Sequence, residues 1–129
     1  MKQQERQKKS KEKILQAAIT EFSASGYDKV TMENICTRHG ISKGMMYHYY
    51  SGKDDLFLLC VQNMYQMMQQ YLEENMAELE KKDALHALKE FWMLRESFFG
   101  EHPPFKNIFE NALLRTPPHL FEKIEEIRG

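Results

Sequence analysis

Apolar residues recur at a helical period almost from end to end of this chain, and nowhere do they alternate as a half-buried strand would. Ile14, Leu15, Ala18, Ile19 and Phe22 share one face of a first helix, with Glu12 and Lys13 on its outer side and Ser25-Gly26 as its stop. Tyr27-Asp28-Lys29-Val30 is a short connector. Thr31 has the side chain of an N-cap and opens a short second helix with Met32, Ile35 and Cys36 as its apolar face. Asn34 stands three residues later, where a full capping box would place Glu or Gln. That helix ends at Arg38-His39-Gly40, where the glycine suits a left-handed exit. Ile41 follows as an apolar plug, and Ser42 caps a third short helix from Lys43 to Tyr49.

Beyond the break at Ser51-Gly52, Lys53-Asp54-Asp55 starts a long helix bearing Leu56, Phe57, Leu59, Cys60, Met64, Met67, Met68, Tyr71 and Leu72. Its two early acids suit the positive end of a helix dipole. Glu73 to Asp83 is charged and is expected to fade into a link. Ala84 to Phe99 predicts another amphipathic helix, and Gly100-Glu101-His102-Pro103-Pro104 a firm break. Phe105 to Leu114 predicts one more helix, and Thr116-Pro117-Pro118 starts a last one. The expected class is all-α: a three-helix helix-turn-helix head over residues 1–52, then an incomplete antiparallel helical body over residues 53–129.

Composition narrows the function classes. At 129 residues, 42% hydrophobic and 29% charged, the chain is an ordinary soluble one with material for one core. No apolar run approaches the roughly 18 residues that span a bilayer. The charged start Met1-Lys2-Gln3-Gln4-Glu5-Arg6 leads into no apolar stretch, so no signal peptide, no membrane partner and a cytoplasmic location are expected. Cys36 and Cys60 each sit in an apolar helical pattern and read as buried hydrophobes; a site built on Cys36 and His39 lacks further ligands, so no metal and no cofactor are expected. Paired carboxylates in a cleft, a Ser/His/Asp arrangement and a phosphate loop are all missing, which argues against an enzyme. The net charge of −1 hides an asymmetry: through Asp55 there are ten Lys/Arg against seven Asp/Glu, and eight against twelve after it. Six of those ten bases (Lys2, Arg6, Lys8, Lys9, Lys11, Lys13) precede Ile14, a distribution that suits phosphate contact.

Thr31 to Tyr50 carries the most information. Two short helices joined by a tight glycine turn have the spacing of a helix-turn-helix, whose second helix must project into a major groove. With Met46 and Tyr50 inward, Gly44 and His48 point outward and Met45 and Tyr47 flank them. A solvated face would favour Lys and Glu. Gly, Met, Tyr and His suit a groove instead: Gly44 allows close approach, Tyr47 and His48 offer hydrogen bonds, and Met45 suits a thymine methyl.

The segment from Lys11 to Leu59 resembles the N-terminal domain of the TetR family. The residues that carry the likeness are Ile14-Leu15-Gln16-Ala17-Ala18, Phe22, Gly26-Tyr27, Val30-Thr31-Met32, Ile35, Gly40-Ile41-Ser42-Lys43-Gly44, Met46-Tyr47, Tyr49-Tyr50, Lys53 and Asp55-Leu56-Phe57. The resemblance implies a transcriptional regulator, most often a repressor, that binds palindromic double-stranded DNA as a homodimer and is released by a small-molecule effector. Carried over by position, Thr31 and Ser42 would hold phosphates near helix starts. Lys43, Met45, Tyr47 and His48 would meet bases or backbone, and Tyr49 and Lys53 would grip phosphate. Met45 stands where the family often has Thr or Ala and His48 where it often has an aromatic, which bears on the operator sequence. Glu33 is expected near the groove edge, solvated.

For the body, Met64, Met67, Met68, Phe91, Trp92, Phe98, Phe99, Phe105, Phe109 and Leu113 are candidates to line an apolar effector pocket, each with plain core packing as its alternative. His86, Arg95 and His102 are candidates to orient a polar ligand group. The chain ends at Ile124-Glu125-Glu126-Ile127-Arg128-Gly129 within an amphipathic pattern. This predicts a body short of the two helices that pair across the family's dimer. A helical interaction module that keeps the head without specific DNA binding is the competing expectation.

Overall fold

The computed structural model describes residues 2–75 and 83–129. Among them the chain forms seven α-helices, a 3-10 turn and no strand: α1 (Lys2–Ser25), α2 (Met32–His39), α3 (Lys43–Tyr49), α4 (Lys53–Asn75), α5 (Ala84–Glu101), α6 (Pro103–Leu113), the 3-10 turn Pro118–Leu120 and α7 (Phe121–Arg128). Of the link expected from Glu73 to Asp83, Glu73 to Asn75 belong to α4 and Asp83 caps α5 through the His86 N–H at 3.0 Å; residues 76–82 lie outside the described residues. The expected five-residue break between α5 and α6 shrinks to His102. Proline lacks the N–H that a first helical turn leaves unpaired anyway, so Pro103 and Pro104 begin α6 instead of interrupting the chain.

Contacts along the helices fix their directions. Asn75 meets α5 near Glu90–Leu94, while Tyr71 donates to Ser97 Oγ at 3.1 Å, so α4 and α5 are antiparallel. On another side of α4, Asp54 meets His119 and Tyr65 lies beside Glu126 and Ile127, which makes α7 parallel to α4. α6 runs parallel to α1: Gln16 and Ile19 face His102 to Phe105, Asn107 donates to the Ser23 carbonyl at 2.8 Å, and Asn111 accepts from the Tyr27 N–H at 3.3 Å. The antiparallel pairing expected of the body holds for α4 with α5 and for α4 with α6, where Phe105 lies near Met67 and Phe109 near Tyr65, while α7 runs alongside α4 in the same direction.

Head and body share one continuous core. The ring of Phe57 on α4 sits edge-on to Phe22 of α1 at 5.2 Å and to Tyr27 of the α1–α2 turn at 5.1 Å. Farther along, Phe98 stacks on Phe105 at 6.0 Å and Phe99 meets Phe109 at 5.1 Å, joining α5 to α6. Cys36 and Cys60 are both buried and unpaired, as small hydrophobes in a core are.

Among the described residues Glu21 is the buried charged one, and it ties α1 to α2. Its carboxylate accepts from His39 Nε2 at 3.0 Å and from Arg38 Nη1 at 2.7 Å. The hydrogen bond from His39 and the bond and charge of Arg38 hold its pKa below the usual carboxylate value, against the opposing effect of burial. Because the folded carboxyl titrates lower than the unfolded one, its contribution is full at neutral pH and is lost as pH falls through the folded value. Glu21→Gln is accordingly expected to cost roughly 1–3 kcal/mol near pH 7. Melting curves of both proteins recorded from neutral pH down to about pH 3 should converge on acidification. A gap independent of pH would show that the charge contributes nothing.

Candidate nucleic-acid interface

The turn between α2 and α3 is built by three local devices. Thr31, in extended geometry, accepts the Asn34 N–H on its hydroxyl at 3.1 Å and starts α2. Gly40 takes φ 63° and ψ 39°, and its N–H and that of Ile41 converge on the Cys36 carbonyl, which closes the helix. Lys13 of α1 donates to the Gly40 carbonyl at 3.3 Å, and Ile41 inserts into the core. Ser42 then accepts the Met45 N–H at 3.1 Å and starts α3.

α3 is anchored by very little. Met46 is fully buried; Met45 and Tyr49 are half-buried, and Lys43, Gly44, Tyr47 and His48 face solvent. A Cβ built on Gly44 meets nothing within 4 Å, so no packing inside the protein requires glycine there. Gly40 also has open space around it, but its left-handed backbone penalises any side chain. Gly40→Ala is expected to lower stability by about 1–2 kcal/mol, whereas Gly44→Ala should be neutral or gain up to about 1 kcal/mol. Urea unfolding of the two variants measures the contrast; equal effects would mean that the turn geometry is not what holds α3.

The nine expected interface residues fall into distinct settings. Thr31, Tyr47 and Lys53 border one concave surface of about 460 Å³, together with Asp28, Val30, Met32 and Glu33. Lys43, Gly44 and His48 lie on the open face of α3, with Ser42 at its start and Met45 flanking. Lys43 pairs with Glu33 at 3.3 Å, an exposed contact of small energetic weight. Tyr49 is set back: its ring lies 4.9 Å from His48, and the Lys11 ammonium stands 5.4 Å from its centroid. Lys53 already has protein partners, donating to the Tyr27 carbonyl at 2.9 Å and the Asp28 carbonyl at 3.4 Å while lying 4.2 Å from the Tyr27 ring centroid.

Sequence reasoning missed the polar knot beneath this surface. Tyr27 donates its hydroxyl to Asp54, and His119 Nε2 lies 3.1 Å from that hydroxyl and 2.9 Å from Asp54 Oδ2. Burial and the adjoining Asp54 push the Tyr27 phenol well above its ordinary pKa, so it remains a donor. Nearby, Asp55 reaches back to the Ser51 N–H at 3.1 Å and to the Ser51 hydroxyl, which lowers its carboxyl and fixes the start of α4. The Tyr27 knot joins the α1–α2 turn, α4 and the 3-10 turn before α7.

The expected pocket residues fall into different settings. Met64, Met68, Phe98, Phe99 and Phe105 are buried in the core. Met67 and Phe105 border a small cavity of about 220 Å³ with Gln16, Ile19 and His102. Phe109 is half-buried between Tyr65 and Phe99, and Leu113 is half-buried near the end of α6. Phe91 and Trp92 lie on the outer side of α5, 40% and 58% exposed. His86 bonds to its own cap Asp83 at 2.7 Å, and His102 packs against Phe98 at 5.0 Å. Among the described residues no cluster of His, Cys, Asp and Glu could hold a metal, and no helix is long and apolar enough to cross a membrane.

Comparison with known proteins agrees with this geometry. Residues 14–60 match the family described as bacterial regulatory proteins, tetR family. The chain is 32% identical over 76 residues to IcaR, the negative transcriptional regulator of a biofilm operon in Staphylococcus epidermidis, a match covering 59% of this chain and 41% of IcaR. It is 26% identical over 121 residues to the transcriptional repressor NicS of Pseudomonas putida, covering 94% of this chain and 56% of NicS. The chain thus spans about half the length of the curated relatives it matches. Its fold superposes with a TM-score of 0.70 and 19% identity on a TetR-family regulator from Syntrophomonas wolfei, over 93% of this chain and 62% of that one. Residues 14–60 thus carry the sequence pattern of the TetR family of bacterial regulatory proteins.

Proposed function

We propose that this chain is a sequence-specific, DNA-binding transcriptional regulator acting in the cytoplasm, a repressor that a small-molecule effector releases. It works without catalysis, with a reading head over residues 1–52 and an effector and dimer body over residues 53–129. The observation that carries this is the outward face of α3, where Lys43, Gly44, Tyr47 and His48 stand in solvent on a helix pinned by Met46 and two caps.

In this function α3 lies in the major groove of a palindromic duplex, with Gly44 allowing close approach and Met45, Tyr47 and His48 meeting base edges. The hydroxyls of Thr31 and Ser42 meet phosphates at the helix starts, aided by Lys43, Tyr49 and the remaining ammonium proton of Lys53. A homodimer places two such helices one duplex turn apart. IcaR and NicS, named as a negative regulator and a repressor, support the direction of control.

Selection of bound sequences from a random duplex pool tests this. A palindromic motif is expected, with affinity falling as salt rises by a slope of about −0.9 per phosphate neutralised. No enrichment by the folded protein would overturn the DNA function and favour a protein-interaction module.

A further inference from the structure

Among the described residues, the phenol oxygen of Tyr65 on α4 is the buried side-chain polar atom that lacks a hydrogen-bond partner. Burial raises the pKa of this phenol, so it stays protonated and has a proton to donate. The Tyr65 ring is 6.5 Å from the ring of Phe109 on α6. That same Phe109 ring carries a cation from α5: Cζ of Arg95 lies 4.5 Å from its centroid, and 5.8 Å from the ring of Trp92. Arg95 is half-buried and has no carboxylate within 4 Å among the described residues. Arg128, whose field also reaches Tyr65, is already paired with Glu125 at 3.3 Å.

This corner therefore offers one uncompensated positive charge and one unused O–H donor, set among aromatic rings. A guanidinium fork and a single hydroxyl complement a planar monoanion with two oxygens. A phosphate dianion would bring more charge than Arg95 answers, and an uncharged ligand would leave the half-buried guanidinium without a counter-ion. The rings of Phe109, Phe99 and Trp92 then suit an apolar remainder.

We propose that Arg95 and Tyr65 form a binding site for an apolar monocarboxylate, with the guanidinium paired to the carboxylate, the phenol donating to one of its oxygens, and Phe109 and Trp92 against its apolar body. The site deepens the effector function proposed above and rests on it for any consequence at DNA.

Trp92 is the chain's one tryptophan, so its fluorescence reports on the site. Titration of the full chain with decanoate is expected to give a saturable change, and decanol over the same range none. Arg95→Gln should weaken decanoate about tenfold or more, and Tyr65→Phe about three- to tenfold. Circular dichroism checks that both variants fold; Tyr65→Phe removes an unpartnered hydroxyl and leaves the ring packing in place. Decanol binding as tightly as decanoate, no saturable decanoate signal, or undiminished affinity in folded Tyr65→Phe and Arg95→Gln would each overturn the site. Duplex selection by the same preparation separates the two proposals. Decanoate binding without duplex binding overturns the regulator and leaves the site standing, and duplex binding without decanoate binding does the reverse.

Discussion

Phe57→Ala is expected to cost about 3–5 kcal/mol, a large share of the roughly 5–15 kcal/mol that holds a domain of this size. Phe57 is fully buried, and its ring meets Phe22 of α1 and Tyr27 of the α1–α2 turn edge-on. Truncation removes the transfer energy of a phenyl ring and leaves a cavity that can close only if three helical elements move together. Because head and body share that core, the loss should not stay local. Urea unfolding followed in parallel by Trp92 fluorescence, which reports on α5, and by far-ultraviolet circular dichroism should show one earlier transition in both signals. Separate transitions, with the α5 signal unshifted, would mean that residues 53–129 keep their own stability independent of the head.

Tyr47→Ala should behave in the opposite way, abolishing selective recognition and sparing the fold. Tyr47 is 52% exposed and its hydroxyl makes no hydrogen bond among the described residues, so truncation leaves little cavity behind. Losing a base-edge contact costs about 1–3 kcal/mol at each subunit, and the proposed dimer would meet its operator twice. The expected result is a loss of specific affinity on the order of a hundredfold or more, set against nearly unchanged binding to unrelated duplex. Competition binding at fixed salt measures both quantities on one preparation, with the melting temperature as the control. Equal losses on specific and unrelated duplex would reassign Tyr47 to phosphate contact, and no loss on either would remove it from the interface.

Local chemistry in the head was legible because it is short-range. Thr31, Gly40 and Ser42 announce their roles through residue types that suit caps and left-handed turns, and each acts on a neighbour within four positions. The inward place of Met46 follows from helical periodicity alone. Lys53 was harder: the family resemblance implies a phosphate ligand, while its bonds to the Tyr27 and Asp28 carbonyls depend on a fold that returns α4 under the α1–α2 turn. The knot of Tyr27, Asp54 and His119 spans 92 residues and leaves no periodic trace. In the body, a pattern of large apolar residues marks a helix face without saying which face is covered. That is why Phe98 and Trp92, alike in the sequence pattern, differ so sharply in exposure. Tyr65 and Arg95 become conspicuous only when three helices bring one hydroxyl and one cation to the same ring.

The slight anchoring of α3 also bears on how such a surface can change. Seven residues make barely two turns, too few for an isolated peptide to stay helical in water. The helix exists because Ser42, Gly40 and Met46 hold it from outside and below, and its four solvent-facing positions contribute almost nothing to that hold. Substitutions at Lys43, Gly44, Tyr47 and His48 are therefore nearly free of thermodynamic penalty for the scaffold. New surface chemistries can be tried there one residue at a time, without the protein first having to find compensating stability elsewhere.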